Sequence, residues 1–112
     1  MESILTSIKK LLGITEEYKH FDPDIIMHIN SVFFTLNQLG VGPETPFAIE
    51  DDSATWNDFV SNQDTEAIKS YIWLKVRLMF DPPTSAAHVS AIQEACKEYE
   101  WRLNVQVDPV KE

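Results

Sequence analysis

The sequence predicts an all-α fold, a small bundle of four main helices with a long acidic loop between the second and third. Two observations carry this. Apolar residues recur at the 3.6-residue helical period in four separate segments, and each segment is closed by glycine or proline. Period-two alternation is confined to short pieces around residues 47–49 and 104–107. The length of 112 residues sets the scale at a single domain, and a composition of 44% apolar and 11% aromatic residues is enough for one core.

Ile4, Leu5, Ile8, Leu11 and Leu12 fall at helical spacing with Lys9 and Lys10 on the other side, and Gly13 is placed to end the run. A short amphipathic helix over about residues 3–12 follows. In Phe21-Asp22-Pro23-Asp24, Asp22 suits the cap of a second helix and Pro23 its first position. That helix carries Ile25, Ile29, Val32, Phe33, Leu36 and Leu39 on one stripe, widened by Ile26 and Phe34, and ends at Gly40.

From Gly40 to Gln63 the helical pattern breaks at Gly42, Pro43 and Pro46. Phe47 and Ile49 suit a short extended piece. Thr55-Trp56-Asn57-Asp58 has the form of a capping box, so one helical turn is expected to pin Trp56 and Phe59 to the body. Between Val41 and Glu66 stand seven acidic residues and no Lys or Arg, against a formal charge of -9 for the whole chain. The acidity is local. Within it, Glu44, Glu50, Asp51 and Asp52 are expected to be mobile in the isolated protein and to form a loop that lines a channel or meets a partner.

A third long helix is predicted from Asp64 or Thr65 to Phe80, where Asp81-Pro82-Pro83 stops it. It is apolar except for a narrow strip of Lys69, Trp73 and Arg77, which is expected to face a neighbouring subunit, because Trp and Arg are enriched at interface centres. Either cation is within reach of the Trp73 ring. The last helix starts near Thr84 or Ser85 and presents Val89, Ile92, Cys96, Tyr99 and Leu103. Residues 104–112 read as a flexible tail in which Val105, Gln106 and Val107 suit a strand paired with another protein, ended by Pro109.

No constellation for catalysis emerges. The three histidines sit in separate segments, and although His20, Asp22, Asp24 and His28 could converge on a metal, Asp22 and Asp24 are better used as a helix cap and first-turn charges. Glu50-Asp51-Asp52 lacks the alternation, glycine and closing Glu of a calcium loop. Cys96 reads as a small buried hydrophobe, and a single cysteine allows no internal disulfide. There is no glycine-rich phosphate loop, and no activated nucleophile can be assembled for a hydrolase. A pI of 4.6 has the wrong sign for gripping a phosphate backbone. No signal peptide and no membrane-spanning run is expected, and no cofactor.

Specific strings go further than composition. Ile4-Leu5-Thr6-Ser7-Ile8-Lys9-Lys10-Leu11-Leu12-Gly13-Ile14, the run Phe21 to Asn30, and Leu36-Asn37-Gln38-Leu39-Gly40-Val41-Gly42 come first. Trp56-Asn57-Asp58-Phe59, the run Tyr71 to Pro83 with its Phe-Asp-Pro-Pro break, and Glu100-Trp101-Arg102-Leu103-Asn104 follow. In this order they resemble the head-tail connector proteins of tailed bacteriophages, also called adaptor or head completion proteins. The resemblance covers nearly the whole chain. It implies a non-enzymatic helical protein of the virion, made in the host cytoplasm, that forms a ring, dodecameric in the family, beneath the portal. The ring would meet the portal protein and tail-side connector proteins and extend the DNA channel, with DNA passing through unbound. The tail at Val105–Val107 would then meet the portal. The alternative class is an acidic protein-binding module, such as an inhibitor that mimics DNA, which would stay small and bind a basic partner.

Overall fold

Ser3 begins the first helix by accepting the Thr6 amide at 3.3 Å, and helix α1 then spans Ile4–Leu12. Gly13 ends it at φ +84°, where the Ile14 amide bonds back to Lys9 and the Gly13 amide to Lys10. A computed structural model of the chain describes residues 3–43, 47–59 and 65–107. Four further helices follow: α2 Asp22–Gln38, the single turn α3 Trp56–Phe59, α4 Thr65–Phe80 and α5 Ala86–Val107. Among the described residues the extended backbone amounts to one isolated antiparallel bridge, Ser3 with Thr55.

The bundle is organised around α4, which packs against α1, α2 and α5. Its Ile68, Tyr71, Ile72 and Val76 meet Ile4 and Ile8 of α1, Ile25, Ile29, Val32, Phe33 and Leu36 of α2, and Ile92, Cys96 and Leu103 of α5 in one buried core. The predicted ends of α4 and the predicted α3 turn are those observed. In α3 the Asp58 carboxylate reaches back to accept the Thr55 amide at 2.8 Å, which is the returning half of a capping box.

Four expectations are corrected. Helix α2 starts one residue earlier than predicted, with Phe21 at the cap and Asp22 already helical, because the Asp22 carboxylate is engaged by Lys9. Lys9 itself is not on the outer side of α1 but 2% exposed. Phe34 does not widen the core stripe; it is 56% exposed. The fourth correction concerns the end of the chain. Backbone hydrogen bonding of α5 continues through Val107, so Val105, Gln106 and Val107 are in its last turns and not in a strand, and residues 108–112 lie outside the described part.

The connection between α2 and α4 is tied down in its described parts. Asn30, inside the α2 stripe, brackets Ile49: its Oδ1 accepts the Ile49 amide at 2.8 Å and its Nδ2 donates to the Ile49 carbonyl at 3.0 Å. Asn37 donates to Pro43 in the same way at 3.3 Å. Phe47 and Phe59 then stack on Phe33 with ring centroids 5.1 and 4.6 Å away. Gly42 permits this packing. It sits at φ +92°, and a Cβ there would stand 2.5 Å from the Phe59 ring.

Candidate functional site

Chemistry needs polar side chains held together, and the most tightly held set here is structural. The Lys9 ammonium donates to the carbonyls of Tyr18 at 2.7 Å and Glu16 at 3.1 Å, and lies 2.9 Å from Asp22 Oδ1. The last is a contact of opposite charges, since its geometry is not that of an aligned hydrogen bond. Lys9 therefore fastens the 14–21 connection and the start of α2 onto α1. A second polar link, Trp56 Nε1 to Ser7 Oγ at 3.0 Å and Ser7 Oγ to the Ser3 carbonyl at 2.7 Å, fastens α3 to the same helix. Glu100 of α5 accepts the Tyr71 hydroxyl at 2.7 Å and lies 3.6 Å from Lys75. Burial first, and then the neighbouring Glu100 carboxylate, push the Tyr71 hydroxyl far above its ordinary range.

The residues weighed and set aside as a metal site in the sequence, His20, Asp22 and His28, are dispersed into such roles. His20 and Phe21 stack edge to face at 4.8 Å, His28 faces Phe80 at 6.4 Å, and Asp22 faces Lys9. Among the described residues no group of three or more His, Cys, Asp or Glu is arranged to hold a metal ion. Cys96 is buried, and burial raises its thiol pKa, which keeps the thiol protonated and unreactive.

The acidic residues are better organised. Glu50, Asp51 and Asp52 are exposed and border a cleft of about 580 Å³ whose apolar lining comes from Leu5, Pro23 and Ile26. Ser53 donates to Asp51 Oδ1 through its hydroxyl at 2.6 Å and its amide at 2.9 Å, and these two bonds hold the Asp51 carboxyl below its ordinary range. Glu44 lies outside the described residues.

On α4, Lys69, Trp73 and Arg77 are each half-buried, not fully outward. Trp73 packs at the edge of the core, and its Nε1 is buried with no hydrogen-bond partner among the described residues. The Lys69 ammonium stands 6.0 Å from the centroid of the Trp56 ring.

What the sequence reading missed is the apolar exterior: Met27 and Phe34 on α2 and Trp101 on α5 are all more than half exposed. Their signal was available in the helical spacing, because each lies across its helix from the buried stripe. Exposed apolar surfaces of this kind suit a protein that acts by contact. A scan against protein families matches the phage connector protein model over residues 4–110. The chain belongs to the phage connector protein family. No curated protein and no solved structure matches it. The match spans all five helices, and the family's role is structural, in joining phage head to tail. Among the described residues no helix of this connector is long and apolar enough to cross a membrane.

Proposed function

We propose that this connector assembles as a closed ring beneath the portal, extends the DNA channel toward the tail and holds head and tail together at that junction of the virion. The observation that carries the reading is the family match over residues 4–110, which favours a connector over a free acidic module that mimics DNA. The charge supports it. A net charge of -9 repels phosphates at close range, as suits a passage through which DNA slides without specific binding.

Glu50, Asp51 and Asp52, with Glu44, serve as the channel-facing or partner-facing loop. The exposure of the first three leaves them available for either. Lys69, Trp73 and Arg77 belong to a subunit contact in which the partly exposed Trp73 ring and its two flanking cations meet the neighbour. The end of α5 at Val105–Val107 leads into the part of the chain that meets the portal. Mass photometry of the protein alone and with portal tests the reading: closed rings are expected, and a complex of single copies with a basic partner would refute it. In a mobility-shift assay at physiological salt, micromolar affinity for duplex DNA would contradict passive passage.

A further inference from the structure

An acidic chain meets copies of itself with least repulsion through surfaces that carry no net negative charge, and besides the α4 strip two helix faces among the described residues are of this kind. On α2, Met27, Ser31, Phe34 and Gln38 are exposed and spaced four, three and four residues apart, so they follow one another along the face opposite the buried stripe. From Ile25 to Pro43 the sequence has no Asp, Glu, Lys or Arg. Met27 is 58% and Phe34 56% exposed at the centre of this uncharged face. Charge depletion with Met and aromatic enrichment is the composition of an interface core.

On α5, Ala87, Ala91, Glu94, Glu98 and Trp101 are exposed with the same four-three-four-three spacing, and Trp101 is 67% exposed. The two glutamates are neutralised on the helix itself, Glu94 by Lys97 at 3.9 Å and Glu98 by Arg102 at 2.6 Å. This face has large and small apolar residues and no net charge. Helices α2 and α5 both pack on α4 and hardly on each other, so the two faces lie on different flanks of the bundle.

We infer that the outward face of α2 in one copy packs, antiparallel, on the outward face of α5 in the next copy. The inference rests on the ring reading above and names the surfaces that would build it. The residues fit in detail. With Phe34 set over Ala91, at one end of the hollow left by the small side chains of Ala87 and Ala91, seven residues of helix, about 10.5 Å, bring Met27 opposite Glu98. A helical side chain leans toward its own N-terminus, so the Trp101 ring covers the turn at Glu98 and meets Met27, a favourable sulfur–aromatic contact. Asp24, the one charge at the start of the α2 face, then lies beside Arg102. Both stripes keep the spacing that packs two helices along a shared seam. Because the surfaces differ, the contact is heterologous: it repeats from copy to copy and closes into a ring when its rotation allows.

The test joins the two faces covalently. A chain carrying both Phe34→Cys and Ala91→Cys, with buried Cys96 left in place, is oxidised and run on a non-reducing gel beside each single variant and the unaltered chain, with native mass spectrometry of each. The expected result is a ladder from dimer upward for the double variant only, and dimers alone when the two single variants are mixed. Dimers from Phe34→Cys alone would show α2 meeting itself and overturn the proposal. Rings that form without a ladder would overturn these surfaces while leaving the ring reading intact. A chain that stays monomeric at millimolar concentration, alone and with portal, would overturn both. Independently, Phe34→Ser and Trp101→Ser should leave the circular dichroism of the monomer unchanged and raise the concentration of half-assembly about tenfold or more, as for a hot-spot residue. Unchanged assembly in both would also overturn it.

Discussion

Replacing Lys9 by Met keeps the length of the side chain and its packing while removing the charge. The ammonium is 2% exposed, and it serves the Glu16 and Tyr18 carbonyls and the Asp22 carboxylate together. Removing one member of a buried ion pair costs about 3–5 kcal/mol, because the other charge is left without compensation. Here the Asp22 side chain retains 17% exposure, and Glu16 and Tyr18 lie on the surface, so water can recover part of what is lost. The lower end, about 3 kcal/mol, is therefore expected. For a domain of this size that lowers Tm by about 12 °C, taking about 4 °C per kcal/mol. With a urea m-value of about 2 kcal/mol/M it moves the midpoint down by about 1.5 M at unchanged m. Urea titrations followed by circular dichroism measure this directly. Adding Asp22→Leu should restore more than half of the loss, since neither charge is then buried alone. A loss below about 1 kcal/mol in Lys9→Met, or strictly additive losses in the double variant, would refute the reasoning.

Asn30→Ala leaves both the amide and the carbonyl of Ile49 unpaired beneath a buried side chain, so it should cost about 1–3 kcal/mol and speed amide exchange around residues 47–52 while α4 stays protected. The raised pKa of the Tyr71 hydroxyl has a defined sign. The folded protein holds that proton while an unfolded chain releases it near pH 10, so the stabilisation is fully present below about pH 10 and is lost as pH rises further. Tyr71→Phe should remove that alkaline decline, and because it deletes a hydrogen bond to a carboxylate it should also cost about 1.5–3 kcal/mol at neutral pH. Gly42→Ala should destabilise by about 2 kcal/mol or more in thermal melts, from the left-handed backbone and the collision with Phe59 together.

The helices were legible because their causes are local. Gly13, Gly40 and the Pro82-Pro83 pair end helices by backbone rules that act within a few residues, and the stripe from Ile25 to Leu36 follows one period. The errors share a different cause, which is distance in the sequence. Asp22 has the sequence of a cap and becomes a counter-ion only because Lys9, thirteen positions earlier, is buried against it. Lys9 stands beside Leu5 at the edge of the α1 stripe, and no local rule says that the 14–21 connection will fold over it. Asn30 shows the same thing within α2: a polar residue next to Ile29 that is explained only by Ile49, nineteen positions later. In α5 the error ran the other way. Val105 and Val107 have the β-branched side chains of a strand, but helix propagation costs them only tenths of a kcal/mol each once the preceding turns exist.

The candidate surfaces were harder to see than the fold, and the reason lies in what a connector does. A catalytic site announces itself by residue types that are expensive to bury together, whereas a contact surface is built from residues that are common in cores. Met27 and Phe34 belong, by type, to the α2 stripe; only their phase, opposite Ile29 and Val32, separates an interface from a core. Acidity acts in the complementary direction. Glu50, Asp51 and Asp52 draw the eye as a functional cluster, and the concentration of charge in one connection also leaves the outer face of α2 uncharged, which in the proposed ring would let an acidic protein approach its own copy. On that argument the charge pattern and the exposed apolar residues are one design. Moving two carboxylates onto the α2 face, as Ser31→Glu with Gln38→Glu, should therefore leave the monomer folded, since both positions are exposed, and abolish self-association at low salt while 1 M salt partly restores it. Sedimentation velocity across a salt series measures this, and assembly that is indifferent to both charges and salt would separate the acidic connection from the α2 face and leave the two unrelated.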